Sequence, residues 1–276
     1  MGPTRNLLGR LARAYLPLAV VTACYSCATN PRDAAKASAS PSGGSDAGKL
    51  AVSAGNTSGG AAADSAGATG AGVPGPGSYT TDFNLNESPL SEGGKWQHRG
   101  LDWTTITTSD GLAFGTQRGT GGFDDSYAYL TGTFPANQSG TGIIHLEPGI
   151  PQSYQEVEIL LRWTDSAHNS IGYECNLAFN GQYAEIIKWP GPPGKEKSDF
   201  KFISTGNPVS GGVHDGDAFQ CDVIGNVITS RLNGKVLATA TDNSIPGGGA
   251  PGMGFYAEGA PASRKYSLTK FTGTGL

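Results

Sequence analysis

The sequence predicts an all-β domain, a two-sheet antiparallel sandwich, preceded by a segment with no core of its own. Three observations carry this reading. From residue 79 onward about a dozen short runs rich in Val, Ile, Thr, Tyr and Phe are separated by Gly, Pro, Asn and Asp. No stretch carries the apolar stripe of an amphipathic helix. Three two-residue turns, Asn180-Gly181, Gly225-Asn226 and Asn233-Gly234, have the composition that supplies the positive φ angles of tight hairpins. The chain has 276 residues, of which 43 are Gly and 15% are charged. Its net charge of −4 argues against a nucleic-acid partner, since phosphate binding needs a surplus of Lys and Arg. No apolar run reaches the roughly 18 residues of a spanning helix.

Taken in order, the first element is a leader over 1–23. Arg5, Arg10 and Arg13 precede the apolar stretch from Ala14 to Ala23, the pattern of an export signal. The stretch ends in Val21-Thr22-Ala23-Cys24, which resembles the bacterial lipobox. That resemblance implies a lipid on Cys24 and a membrane attachment through it. Residue 25 is Tyr rather than the Asp that often retains such proteins at the inner membrane, so the expected location is the cell envelope, on the outer membrane. Residues 24–78 read as a tether: between Ala28 and Ser78, 40 of 51 residues are Ala, Gly, Ser, Pro or Thr, and none is aromatic. Such a segment cannot bury enough apolar surface to offset chain entropy. Its span as a flexible chain is roughly 40 Å.

The domain over 79–276 follows. Counting outward from Asn180-Gly181 sets Asn176 against Glu185, Glu174 against Ile187 and Gly172 against Trp189. One face of that hairpin then holds Tyr173, Cys175, Leu177, Phe179, Ala184 and Ile186 and is core. The other holds Glu174, Asn176, Tyr183, Glu185, Ile187 and Trp189 and is expected to face outward. Over 154–163, strict alternation directs Val157, Ile159, Leu161 and Trp163 inward, leaving Glu156, Glu158 and Arg162 outside. The meander 218–224, 227–232, 235–241 places Phe219, Cys221, Val223, Ile228, Leu232 and Leu237 on one face, a second core sheet.

The opening Asp82-Phe83-Asn84 with Trp96, the block Ile159 to Trp163 leading to Gly172-Tyr173-Glu174, and Gly225-Asn226 through Asn233-Gly234 to Gly252-Met253-Gly254-Phe255 resemble concanavalin A-like lectin/glucanase domains, nearest to the laminin G-like branch. The resemblance covers roughly 80–275. It implies a curved jelly roll whose concave face or edge loops often bind carbohydrate.

The outward set Glu158, Arg162, Glu174, Asn176, Tyr183, Glu185 and Trp189 suits a glycan, whose C–H faces stack on aromatic rings while its hydroxyls bond to carboxylates, amides and guanidinium groups. The leading expectation is a non-catalytic, lectin-like domain on a lipid tether that binds a polysaccharide. The alternative is a hydrolase or lyase using Glu158 with Glu174 or Glu185, and a third is a structural or adhesion module of the envelope. Laminarinase-type glucanases carry Glu-x-Asp-x-x-Glu; here Glu156-Val157-Glu158 is followed by Leu at 161, which removes one acid. No Arg-x-Glu-x-Arg with Gln-x-His pattern of jelly-roll alginate lyases occurs. His98, His145, His168 and His214 show no ligand spacing, so no zinc site is expected. Asp124-Asp125 is a weak calcium candidate, since paired loop Asp residues more often serve turn chemistry. Cys175 and Cys221 fall on core faces; a disulfide and two buried thiols both remain open.

Overall fold

A computed structural model describes residues 77–119, 125–149, 154–191 and 200–276. The leader, Cys24, the tether up to residue 76, Asp124 and residues 192–199 lie outside the described residues. Among those described there are fifteen strands: β1 (Ser78–Thr81), β2 (Trp96–Gln97), β3 (Thr104–Ser109), β4 (Leu112–Gly115), β5 (Asp125–Leu130), β6 (Gln138–Leu146), β7 (Gln155–Ser166), β8 (Asn169–Ala178), β9 (Ala184–Gly191), β10 (Lys201–Thr205), β11 (Ala218–Ile224), β12 (Val227–Leu232), β13 (Lys235–Thr241), β14 (Ala250–Ala257) and β15 (Tyr266–Gly275).

These strands make the antiparallel sandwich that the sequence predicts. Sheet A runs β3-β4-β15-β6-β11-β12-β13, with β1 also paired to β15. Sheet B runs β10-β9-β8-β7-β14-β5, with β2 on β5. One strand joins the two: β3 is antiparallel to β4 in sheet A and parallel to β5 in sheet B.

The three turns set the registers. Asn233 and Gly234 have φ of 50° and 78°, and Gly225 has 59°, all in the region that two-residue hairpins require. The meander therefore pairs Ile224 with Val227 and Leu232 with Lys235. In the β8–β9 hairpin Asn176 meets Glu185, Glu174 meets Ile187 and Gly172 meets Trp189. The strands stop slightly short of the turn, and Gly181 N–H donates to the Ala178 carbonyl at 2.8 Å.

The core lies between the inner faces. Val157, Ile159, Leu161, Tyr173, Cys175, Leu177 and Ile186 of sheet B meet Phe219, Cys221, Val223, Ile228, Leu268 and Phe271 of sheet A, all fully buried. The sheets approach closely where sheet A has no side chain. A Cβ on Gly140 would come within 2.5 Å of Ile159 Cγ2. Among the ties that cross the interface are a disulfide and an ion pair. Cys175 and Cys221 are bonded, with Cα atoms 6.0 Å apart. Asp242, just past β13, accepts from Lys188 Nζ at 2.6 Å and Tyr173 Oη at 2.8 Å.

Strict alternation fails at several bulges; one in the meander sets Ala238 rather than Leu237 opposite Ser230, and one in sheet B bears on the site. A bulge interrupts the β7–β8 pairing between Leu161 and Thr164, and Arg162 has φ of 51°. The extra residue reverses the parity of its neighbours. Arg162, expected outside, turns to the inner end of the sandwich, where its guanidinium lies 5.9 Å from the Tyr173 ring. There it donates to the carbonyls of Ala136, Ile245 and Gly225. Burial lowers its pKa, and three carbonyl acceptors satisfy the charged form. Trp163, expected inside, swings to the outer face of sheet B.

Candidate functional site

The outer face of sheet B is a grid set by the registers. Directly opposed residues share a face, so one row across the sheet reads Glu185, Asn176, Glu158, Gly254 and Tyr127. The next row reads Ile187, Glu174, Leu160, Gly252 and Tyr129. On the other side lie Glu156, Tyr256 and Asp125. Small residues keep room for the acids. A Cβ on Gly254 would stand 2.3 Å from Glu158 Oε2.

Carboxylates gather at the centre of this grid. One oxygen each from Glu156, Glu158 and Glu174 lies within 4.8 Å of the others. Neighbours hold the acids in place. Glu156 accepts from Asn176 Nδ2 at 2.7 Å and from Tyr183 Oη at 2.6 Å. Glu174 accepts from Trp189 Nε1 at 2.7 Å.

Aromatic rings form a wall at one end. Trp103 sits 4.7 Å from Trp189 and 5.5 Å from Tyr127 between ring centres, and Tyr127 lies 5.6 Å from Trp163. Phe200 continues the wall, 5.1 Å from Trp189. Asp165 fastens this end: Tyr127 donates to its Oδ2 at 2.6 Å, Tyr129 donates to its other oxygen, and the Arg99 amide donates at 2.8 Å. Burial, and then the bond to Asp165, push both tyrosine pKa values up. His98 stacks on Tyr127 with ring centres 4.2 Å apart, and burial pushes its pKa down.

Of the residues singled out in the sequence, Glu158, Glu174, Asn176, Tyr183, Glu185 and Trp189 are brought together on this face. Arg162 is not, because the bulge turns it inward. The expectation that the set faces solvent is also corrected: Glu158, Glu174, Glu185 and Trp189 are each 2% exposed and Asn176 is fully buried, while Tyr183 is half-buried. Alternation identifies a shared face and carries no information about whether that face meets water. Asp125, of the proposed calcium pair, begins β5 and is buried on the same face, two strands from Glu156.

Sequence reasoning placed Glu156 outside without assigning it to the site; its signal was the Glu-x-Glu spacing. Trp163, Trp103 and Tyr127 were missed, the first through the bulge and the others because they arrive from distant segments. The other histidines lie apart from this face's acids, His145 on Asp215 and His168 on Asp102, at 2.9 and 3.0 Å. A separate groove of about 360 Å³ lies between residues 207–217 and the β12–β13 hairpin, lined by Val209, His214, Leu232, Lys235 and Val236 among others.

No family model matches this chain, and no curated protein matches it. Among solved structures it is similar to a carbohydrate-binding module from Bacillus subtilis, at 17% identity over 66% of this chain and 98% of that one, with a TM-score of 0.46. It is also similar to the kappa-carrageenase from Pseudoalteromonas carrageenovora, solved with an oligotetrasaccharide of kappa-carrageenan, at 10% identity over 75% and 98%, with a TM-score of 0.44. A third is a beta-1,3-1,4-glucanase (lichenase) derived from a mouse hindgut metagenome, at 13% identity over 72% and 98%, with a TM-score of 0.44. These are likenesses in the course of the backbone, and no residue's role is carried across from them.

Proposed function

We propose that the outer face of sheet B recognises a polysaccharide or other glycan, and that the domain is a binding module rather than an enzyme. The observation that supports this is the joining, on one sheet face, of a carboxylate cluster to a wall of Trp and Tyr rings. Trp103 and Tyr183, the rings of this face that keep partial exposure, take the C–H faces of a sugar, and the buried acids anchor them: Glu156 accepts from Tyr183, and Glu174 holds Trp189 against Trp103. The test is a glycan array and affinity-gel screen of the full chain. Binding should fall at least tenfold in Glu174→Gln and in Trp189→Phe, which removes the indole N–H that holds Glu174. A chain that binds no glycan, or binds equally well with both changes, would sink the reading.

The spacing of the acids favours one second reading. Carboxyl groups about 5–5.5 Å apart suit glycoside hydrolysis with retention, and about 6.5–9.5 Å suits inversion. Oxygens of Glu158 and Glu174 within 4.8 Å lie nearer the retaining case. Release of reducing ends from a polysaccharide panel, abolished by Glu174→Gln, would favour the enzyme. The leader and Val21-Thr22-Ala23-Cys24 support attachment to the envelope through lipid on Cys24, at the outer membrane. Labelling by a palmitate analogue should vanish in Cys24→Ser.

A further inference from the structure

We propose that Glu156, Glu158, Glu174 and the side-chain carbonyl of Asn176 form a calcium site on the outer face of sheet B. Glu156 and Glu158 project from the same face of β7, two residues apart. Glu174 stands on β8 opposite Leu160, diagonal to Glu158. The three carboxylates thus converge from two strands, each offering an oxygen within 4.8 Å of the others.

Asn176 supplies an independent indication. It lies directly across from Glu158, and its Nδ2 donates to Glu156 Oε2 at 2.7 Å, so its amide sits within the cluster. Its Oδ1 is buried and has no hydrogen-bond partner among the described residues. A buried amide oxygen is rarely left without a donor, and a cation satisfies it equally well. The donor set is all oxygen, which selects a hard cation over zinc or copper. Calcium suits this set better than magnesium, because it takes six to eight oxygens in flexible geometry, whereas magnesium demands a near-ideal octahedron and keeps several waters.

The surroundings orient these ligands. Tyr183 fixes one oxygen of Glu156, and Trp189 fixes one of Glu174. Four protein oxygens leave two or more of the usual six to eight positions for water. The site stands whether or not a glycan binds above it. It opposes the hydrolytic reading, because calcium holds all three carboxylates ionised and leaves none as a proton donor.

Trp189 lies one hydrogen bond from Glu174 and makes the site self-reporting. Terbium added to the calcium-free full chain should give saturable emission on indole excitation, and Ca²⁺ should displace it. Glu158→Gln should weaken terbium affinity at least tenfold. Asn176→Asp adds a charged ligand and should strengthen it, which a purely structural amide would not do. Absence of sensitised emission, or equal affinity in wild type, Glu158→Gln and Asn176→Asp, overturns the proposal. Emission that survives Glu158→Gln but is lost in Asp125→Asn also overturns it, placing the ion beside β5. Glycan binding measured in chelator and in excess Ca²⁺ separates the readings: binding that persists in both, with no terbium signal, removes the ion and keeps the glycan.

Discussion

Glu158 keeps its place because Gly254 has no side chain. Its carboxylate occupies the volume that a Cβ on the neighbouring strand would fill, 2.3 Å from Oε2. Gly254→Ala should therefore displace the acid and overpack the face, costing about 1–3 kcal/mol. Urea midpoints of the two proteins check the cost. Terbium or glycan titration checks the displacement, which should weaken binding even under conditions where the variant is folded. The sequence carried part of this arrangement. That Glu158, Glu174, Asn176, Glu185 and Trp189 share a face follows from side-chain alternation and one turn. Arg162 and Trp163 defeat the same logic, because a bulge at a non-glycine residue leaves no mark in the pattern and exchanges the two faces. Burial of the acids was not legible either, since an alternating polar row reads the same under water and under cover.

Two of the ties between the sheets answer to different conditions. The Cys175–Cys221 bond connects the centres of β8 and β11 and closes a loop with a sequence separation of 46. The chain-entropy relation assigns such a cross-link about 4 kcal/mol, with measured bonds more often at about 2–4. Denaturant midpoints with and without reductant, or in Cys221→Ser, should differ by that order. The second tie is Asp242. Its desolvation opposes ionisation, but Lys188, Ser244 and Tyr173 donate to it and hold its pKa well below the carboxylate range. A folded pKa below the unfolded value of about 3.9 means the contribution is complete above about pH 4 and is lost as pH falls toward the folded value. Urea stability of the wild type should decline more steeply below pH 4 than that of Asp242→Asn. The strands of the meander and the β11–β12 register were legible from their turns, but the bulge at Ser230 shifts the β12–β13 pairing and puts Ala238, not Leu237, on the core face. The cysteine pairing was not, because alternation puts both thiols in the core without saying which residues stand opposite one another across it.

For the molecule as a whole, composition and turn chemistry carry the all-β sandwich, and the order of strands within it comes from contacts distant in sequence. The double membership of β3, and the meeting of β1 with β15, join segments that no local pattern relates; Thr80 bonds to Thr272 across 192 residues. The position of β15 has a consequence for how such a chain is made. It is the last of the fifteen strands to be synthesised, yet it lies inside sheet A, with β1 and β4 on one side and β6 on the other. Until it emerges, β6 and β1 have unfilled edges facing each other, and the inner face of sheet B has only part of its covering. Folding waits on long-range pairing and closes late. A nascent polypeptide of this design cannot complete sheet A until residues 266–275 are made, so two of its edges stay open to the last stage of synthesis.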